Sequence, residues 1–208
     1  MTHWPVLEAV LAALAALVAL AFQPWAVLRA PALRDPYVAA VILLGLAWAA
    51  QARLPASLPV VLSGACLLVL MFGWPLAVLT VLGLAAGAWL AGAGLAHALQ
   101  LAAWAGVVPA TLALGLGVAT RRWLPRQVFV YILGRAFFGT ALSVALAAVL
   151  HVVWLRHAPV DGELPLLTAG WLIAWGEAFL TGALTAIFVA YRPQWLLTWS
   201  DERYLQPR

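Results

Sequence analysis

The chain has few charged residues and a single cysteine, and these two shortages exclude most classes of protein. Of its 208 residues only 9% are charged, whereas 66% are hydrophobic, and the mean hydropathy is +1.03. A soluble domain is about 25% charged, so these side chains cannot cover the surface of a 22.1 kDa globule. Because Cys66 is the one cysteine, a disulfide-stabilised secreted scaffold is excluded too. The composition therefore predicts an all-α integral membrane protein, with residues 1–208 forming a single transmembrane domain.

The sequence also lacks the motifs that would let the chain carry out a reaction by itself. No glycine-rich loop ending in Lys-Ser or Lys-Thr is present, and the chain has no lysine at all, so we expect no ATP hydrolysis. Serine residues occur, but none stands in the Gly-x-Ser-x-Gly setting of a hydrolase nucleophile. The net charge of +4 is small, and the arginines lie mainly in predicted loops, which disfavours nucleic acid as a partner. We therefore expect neither an enzyme nor a nucleic-acid-binding protein.

Long apolar segments predict about seven membrane-spanning helices. A helix needs about 20 mainly apolar residues to cross a hydrocarbon core of roughly 30 Å. The second and third segments are short, which leaves a tilted, re-entrant or buried course open for them, and the sixth is long enough to tilt. The seven segments are Val6–Phe22, Tyr37–Ala50, Leu58–Phe72, Trp74–Leu95, Ala98–Thr120, Val128–Leu155 and Leu166–Tyr191.

The arginines of the loops predict the orientation of these helices. With the N-terminus outside, eight of the ten loop and terminal arginines face the cytoplasm, and only Arg53 and Arg156 face outward. Cytoplasmic loops of membrane proteins carry such an excess of basic residues. We therefore expect a multi-pass protein of the bacterial inner membrane, with the lipid bilayer as its surroundings and residues 192–208 as a short cytoplasmic tail. The inward arginines are Arg29, Arg34, Arg121, Arg122, Arg126, Arg192, Arg203 and Arg208.

Two ionisable residues lie deep inside predicted spans. Arg135 is about two turns into the sixth span, and Glu177 is near the middle of the seventh. An unpaired charge inside a membrane costs several kcal/mol, and these two spans run antiparallel as neighbours. We therefore predict that Arg135 and Glu177 form an intramembrane ion pair, which serves either as a structural clamp or as a polar hinge in a transport element.

A histidine close to the N-terminus predicts a metal site on the outer face. A terminal amine, nearby amide nitrogens and an imidazole can surround one ion, in a square-planar set that suits Ni(II) or Cu(II). If Met1 is retained, it carries the amine; if it is removed, Thr2 does. In both cases His3 carries the imidazole. His97 and His151, near the outer ends of the fourth and sixth spans, are further candidate ligands. For each of these two, the alternative is a plain packing or interfacial residue.

Several segments in the last two thirds of the chain resemble one family of membrane transport proteins. The pattern is similar to that of the CbiM-type family, the substrate-capture and permease components of energy-coupling-factor transporters for cobalt and nickel, and most of all to its short bacterial branch. The resemblance implies seven helices, an outer N-terminus, and an N-terminus that folds back to bind the ion. The segments that carry it are Met71–Ala77, Leu124–Tyr131, Ala136–Gly139, Gly176–Leu180, Tyr191–Trp195 and Asp201–Leu205.

The resemblance also implies partners and a cargo. It implies Ni(II) or Co(II) as the transported ion, with Cu(II) allowed by the ligand set, no prosthetic group, and separate ATPase and membrane coupling subunits. Such subunits would meet the cytoplasmic arginines, which we therefore predict to face partners. In the segment Pro59–Gly64, valine stands where the family has a second metal-binding histidine. Two functions follow: capture of a transition-metal ion, or a non-transporting membrane scaffold or assembly protein that has lost the site. The partner-facing arginines are Arg121, Arg122, Arg126 and Arg192.

Overall fold

A computed structural model describes residues 5–51, 62–155 and 163–204 of the chain, and within these ranges the secondary structure is entirely helical. The predicted all-α class is confirmed at this level. Four of the helices are long and apolar enough to cross a membrane, whereas the count of seven spans and their orientation stay predictions. The four are Pro31–Gln51, Leu95–Trp123, Val130–Trp154 and Leu166–Tyr191.

Nine α-helices lie in the described ranges, and two π-helical segments extend three of them. The segment Leu101–Val107 joins the fifth helix to the sixth, and the segment Val130–Phe138 leads directly into the seventh. Short 3₁₀ turns follow the first and eighth helices, at Pro24–Arg29 and Pro193–Trp195. The α-helices are α1 (Val6–Ala21), α2 (Pro31–Gln51), α3 (Ala65–Phe72), α4 (Trp74–Leu90), α5 (Leu95–Gln100), α6 (Val108–Trp123), α7 (Gly139–Leu155), α8 (Glu163–Tyr191) and α9 (Asp201–Tyr204).

The surface of the bundle is apolar, and its interior is built from small residues. Large side chains such as Leu17, Leu90 and Leu172 are exposed, an arrangement that suits contact with lipid and not with water. Inside, Ala77 and Ala178 are completely buried. In lipid, association of helices depends on close backbone approach, so alanine is favoured where two helices meet.

The helix bounds depart from the predicted spans at three places. α2 begins six residues before the predicted Tyr37, because Pro31 occupies its first turn and Pro36 is tolerated inside it. α4 ends at Leu90 and not at Leu95, in a turn where Gly92 has a φ of +104°. The first part of the predicted span Leu58–Phe72 lies outside the described residues, and the helix in its described part begins only at Ala65.

The short helix α3 lies in the middle of the bundle, in contact with α2, α4, α6 and α8. Seven of its eight residues are buried, and at 1.5 Å per residue it is about 12 Å long, too short to cross a membrane. Two glycines set its ends: Gly64 has a φ of +67° and Gly73 a φ of +84°, values that other residues adopt at a cost. α3 and α4 are therefore two separate helices that meet at Gly73.

The break at Gly73 leaves two carbonyl groups of α3 without helical partners, and the segment after α8 supplies donors to both. In a continuous helix the Met71 carbonyl would accept from residue 75, but Pro75 has no N–H. Instead, the Leu197 N–H donates to the Met71 carbonyl at 3.0 Å. The Leu70 carbonyl accepts the N–H of Thr198 at 3.3 Å and its hydroxyl at 2.9 Å. Backbone groups away from water need such partners.

Aromatic contacts hold this C-terminal segment in place. Tyr131 donates to or accepts from the Thr198 hydroxyl at 2.7 Å, and its ring lies 4.9 Å from that of Trp199. Trp199 in turn stacks on Tyr204, with 4.7 Å between ring centroids. The predicted cytoplasmic tail 192–208 is therefore, as far as residue 204, a folded part of the bundle and not a free extension.

Candidate functional site

Glu177 lies at the start of the buried helix α3. This side chain, on α8 and only 3% exposed, accepts the backbone N–H of Ser63 and faces the Ser63 hydroxyl at 3.4 Å. The same hydroxyl accepts the Ala65 N–H at 3.1 Å. The first N–H groups of a helix lack partners within the helix, and the helix dipole favours a negative charge there. Glu177 is therefore bound to the backbone at Ser63, two residues before α3 begins, and lies close to the N-terminal end of that helix.

The structure does not bring Arg135 and Glu177 together as the predicted ion pair. A Cβ atom on Gly182 would lie 3.1 Å from the ring of Phe137, which fixes how the two antiparallel helices face each other. Arg135 is two residues before Phe137 and is thus level with residue 184. That position is seven residues beyond Glu177, or about 10 Å along the helix axis at 1.5 Å per residue. The two charges lie at different depths of the bundle.

Arg135 is buried without the hydrogen bonds that a guanidinium usually makes. Its residue exposure is 8%, and its Nε and Nη1 atoms have no hydrogen-bond partner within the described part of the chain. Its Cζ atom lies 5.8 Å from the centroid of the Tyr131 ring. On the other side, α6 approaches so closely that a Cβ atom on Gly117 would lie 2.9 Å from Nε. A glycine at position 117 is therefore what makes room for the guanidinium.

Arg135 lines a cleft at the end of α6, with a volume of about 450 Å³. Three of the four arginines predicted to face partners line the same cleft. The structure therefore groups these three with Arg135, which the sequence predicts to pair with Glu177 instead. The fourth, Arg192, is exposed and lies 6.0 Å from the ring of Trp195. The charged and hydroxyl-bearing residues that line the cleft include Arg121, Arg122, Arg126, Arg135, Tyr131 and Tyr204.

A second polar cluster lies near the end of the bundle where the chain enters α1. Glu8, in the first turn of α1, is 4% exposed, and the indole N–H of Trp104 donates to its Oε1 atom at 3.3 Å. The ring of His151 stacks on the indole of Trp104, with 4.9 Å between the ring centroids. The Nε2 atom of His151 is buried and has no hydrogen-bond partner within the described ranges. Glu8 and His151 thus flank one indole ring.

The remaining predicted metal ligands are not brought to this cluster by the described residues. His97 is exposed in the short helix α5. Met1, Thr2 and His3 lie outside the described residues, which begin at Pro5. In residues 5–51, 62–155 and 163–204, no three His, Cys, Asp or Glu side chains are grouped so that they could hold a metal ion.

Trp104 is the residue of this cluster that the sequence did not single out. It lies inside the predicted span Ala98–Thr120 and carries no charge, so nothing in the sequence sets it apart. In the structure, Trp104 belongs to the π-helical segment Leu101–Val107, and Arg135 belongs to the other such segment, Val130–Phe138. Single π-helical turns inside α-helices occur frequently at functional sites. No such segment can be read from residue types alone.

The described residues form an all-helical bundle in which four helices are long and apolar enough to cross a membrane. It has an interrupted central helix, a basic cleft at one end and a Glu-Trp-His cluster at the other. No known protein family, curated protein or solved structure matches the chain.

Proposed function

We propose that the protein is the membrane component of a transition-metal uptake system, which captures Ni(II) or Co(II) from the outside and passes it inward. The observation that carries this proposal is the buried Nε2 atom of His151, which has no partner among the described residues. The His151 ring stacks on the same indole that donates to the buried carboxylate of Glu8. A buried polar atom without a partner is costly, and an imidazole nitrogen is the commonest protein ligand of such metals. Metal coordination would give this nitrogen its partner.

The N-terminal residues can supply further ligands to the same place. His3 lies three residues before Val6, and a chain spans at most about 3.6 Å per residue, so its backbone is within about 11 Å of the first turn of α1. The terminal amine and His3, together with His151 and Glu8, would form a set of nitrogen and oxygen ligands that suits Ni(II), Co(II) or Cu(II). His97 is exposed and is left out of this set.

We further propose a multi-pass arrangement in the bacterial inner membrane, with seven passes and the N-terminus outside. Its support is the distribution of arginines, together with the four long apolar helices and the shorter apolar helices α1 and α4. Energy would come from separate ATPase and coupling subunits. Reporter fusions after Arg208 and at Asp161 test the orientation. A C-terminal fusion that is active only on the outer side would overturn it.

The metal proposal is tested by titrating purified protein with Ni(II), Co(II) and Cu(II) and measuring the bound ion. We expect one ion per chain, and a loss of affinity of at least about tenfold in His3→Ala, in His151→Ala and in a variant with an N-terminal extension. His97→Ala, at an exposed histidine, is the matched control and should bind as the original chain does. Affinity should also fall as the pH is lowered, because the amine and imidazoles must lose protons to bind.

The same titration separates the two functions left open by the sequence. If all variants bind metal equally, or none binds any, the metal proposal fails. The alternative is then the non-transporting membrane scaffold or assembly protein that keeps the fold without the site.

A further inference from the structure

The cleft at the end of α6 is strongly basic, and among the described residues no acidic side chain lines it. Arg121 and Arg122 come from the last turn of α6, Arg126 from the link that follows, and Arg135 from the π-helical segment beyond. Two acids shortly precede the lining residue Tyr204 in the chain: Asp201, which accepts the indole N–H of Trp199 at 2.6 Å, and Glu202, which is exposed. Four arginines around one cleft repel one another, and an anion between them would relieve that repulsion.

Arg135 makes the cleft more than a surface patch. Its side chain is more than nine-tenths buried, and two of its three guanidinium nitrogens lack a partner in the described part of the chain. The guanidinium is held between the backbone of α6 at Gly117 and the ring of Tyr131, so its direction is fixed by packing. A fixed planar guanidinium is suited to phosphate, because its N–H groups match the phosphate oxygens in pairs.

We propose that this cleft binds a phosphate group, held by Arg135 at its base and by Arg121, Arg122 and Arg126 at its mouth. The proposal is independent of the metal site, which belongs to the opposite end of the bundle. The volume of about 450 Å³ leaves room for a headgroup attached to the phosphate.

The surroundings of the cleft favour a phospholipid as the source of that phosphate. Trp123 and Phe129, which lie in the chain on either side of Arg126, are 78% and 70% exposed. Large exposed aromatic side chains beside arginines are typical of the headgroup level of a bilayer. Basic pockets between membrane helices bind anionic headgroups in this way. Free phosphate carries the same chemistry, and the experiment distinguishes the two sources.

The test is native mass spectrometry and thermal unfolding of the purified chain with four probes: phosphatidic acid, diacylglycerol with the same acyl chains, inorganic phosphate, and sodium chloride. We expect phosphatidic acid to bind and to raise the unfolding temperature, and diacylglycerol and chloride to do neither. Arg135→Gln should weaken phosphatidic acid binding about tenfold or more, the loss expected for a hydrogen bond to a charged group. The double variant Arg121→Gln with Arg126→Gln should weaken it too.

Two further variants separate loss of the site from loss of the fold. Gly117→Ala keeps every charge but displaces the guanidinium, so it should weaken phosphatidic acid binding while the chain remains folded. Arg192→Gln removes an exposed arginine that does not line the cleft, and should change binding by less than about twofold.

Each outcome bears on the proposal. Binding of inorganic phosphate that competes with phosphatidic acid supports a phosphate site filled from solution, and binding of phosphatidic acid alone supports a lipid headgroup. Equal binding of diacylglycerol, or equal binding by the Arg135→Gln and Arg192→Gln variants, overturns the proposal. It is also overturned if the cleft variants lose a co-purifying coupling protein but bind both phosphate probes unchanged, because the cleft would then be a protein-docking surface.

Discussion

Glu177 and Arg135 are both buried charges in neighbouring antiparallel helices, but their surroundings differ. The Glu177 carboxylate has the start of α3 as its partner and is fully enclosed. The Arg135 guanidinium has Gly117 and the Tyr131 ring beside it and lines a cleft, and two of its nitrogens have no partner among the described residues. The first charge is satisfied by the fold itself, whereas the second needs something that the fold does not provide.

This difference teaches how to assign a role to a charge inside a membrane protein. Burial alone is common to both residues and does not separate them. What separates them is whether the hydrogen-bonding groups are used up within the chain. We expect a structural role for a carboxylate whose oxygens accept hydrogen bonds within the chain. We expect a binding role for a guanidinium in a cleft whose N–H groups lack partners among the described residues.

The largest expected effect is on stability, when Glu177 is replaced by an apolar residue. Glu177→Leu leaves the Ser63 N–H and the start of α3 without an acceptor, and should destabilise the fold by about 3 kcal/mol. Glu177→Gln keeps an acceptor and should cost less. Denaturant unfolding in detergent measures both, with Glu202→Gln on the exposed first turn of α9 as the control. An equal loss in the Leu and Gln variants would show that the acceptor is not what matters.

Replacing Arg135 by an apolar residue should raise the free energy of unfolding, whereas the Glu177 replacement lowers it. Arg135→Met removes a largely buried charge with two guanidinium nitrogens that lack partners among the described residues, so it should stabilise the lipid-free protein by about 1 kcal/mol. The comparison is made with Arg192→Met in the same detergent, where little change is expected because the side chain is exposed. Destabilisation by Arg135→Met alone would mean that the guanidinium has a structural partner within the chain.

The smallest expected effect is the coupling between the two charges. Because they lie about 10 Å apart along the helix axis and share no partner, their single effects should add to within about 0.5 kcal/mol in a double-mutant cycle. The cycle uses Arg135→Gln and Glu177→Gln, read by the same unfolding measurement. A coupling energy above about 1 kcal/mol would restore the ion pair that the sequence predicts.

The sequence predicts the helical class and most of the helices because these depend on local composition. Apolar segments of sufficient length are visible in any window, so α1 begins at the predicted Val6 and α8 ends at the predicted Tyr191. The end of α3 at Phe72 and the start of α4 at Trp74 also fall where the sequence predicts them, whereas the start of α3 at Ala65 does not. The start of α3 is fixed by Glu177, which is 114 residues away in the chain.

The part of the candidate sites that depends on local composition is also predicted from the sequence. Loop arginines can be counted on one side of the bundle, and Arg121, Arg122 and Arg126 do share a cleft. Residue types do not show which residues of α8 lie opposite which residues of the segment Val130–Phe138. The sequence therefore pairs Arg135 with Glu177 and does not place it in this cleft. The register depends on packing such as that of Gly182 against Phe137, which only the folded chain shows.

The hydrogen bonds between α3 and the C-terminal segment have a consequence for synthesis of the protein. Thr198 is 128 residues beyond its acceptor Leu70, so at roughly 5–20 residues per second it leaves the ribosome about 6–25 s later. During that time the Leu70 and Met71 carbonyls cannot have their final donors, and a bilayer offers them no water. The final hydrogen bonds at the end of α3 can therefore form only after residue 198 has been synthesised.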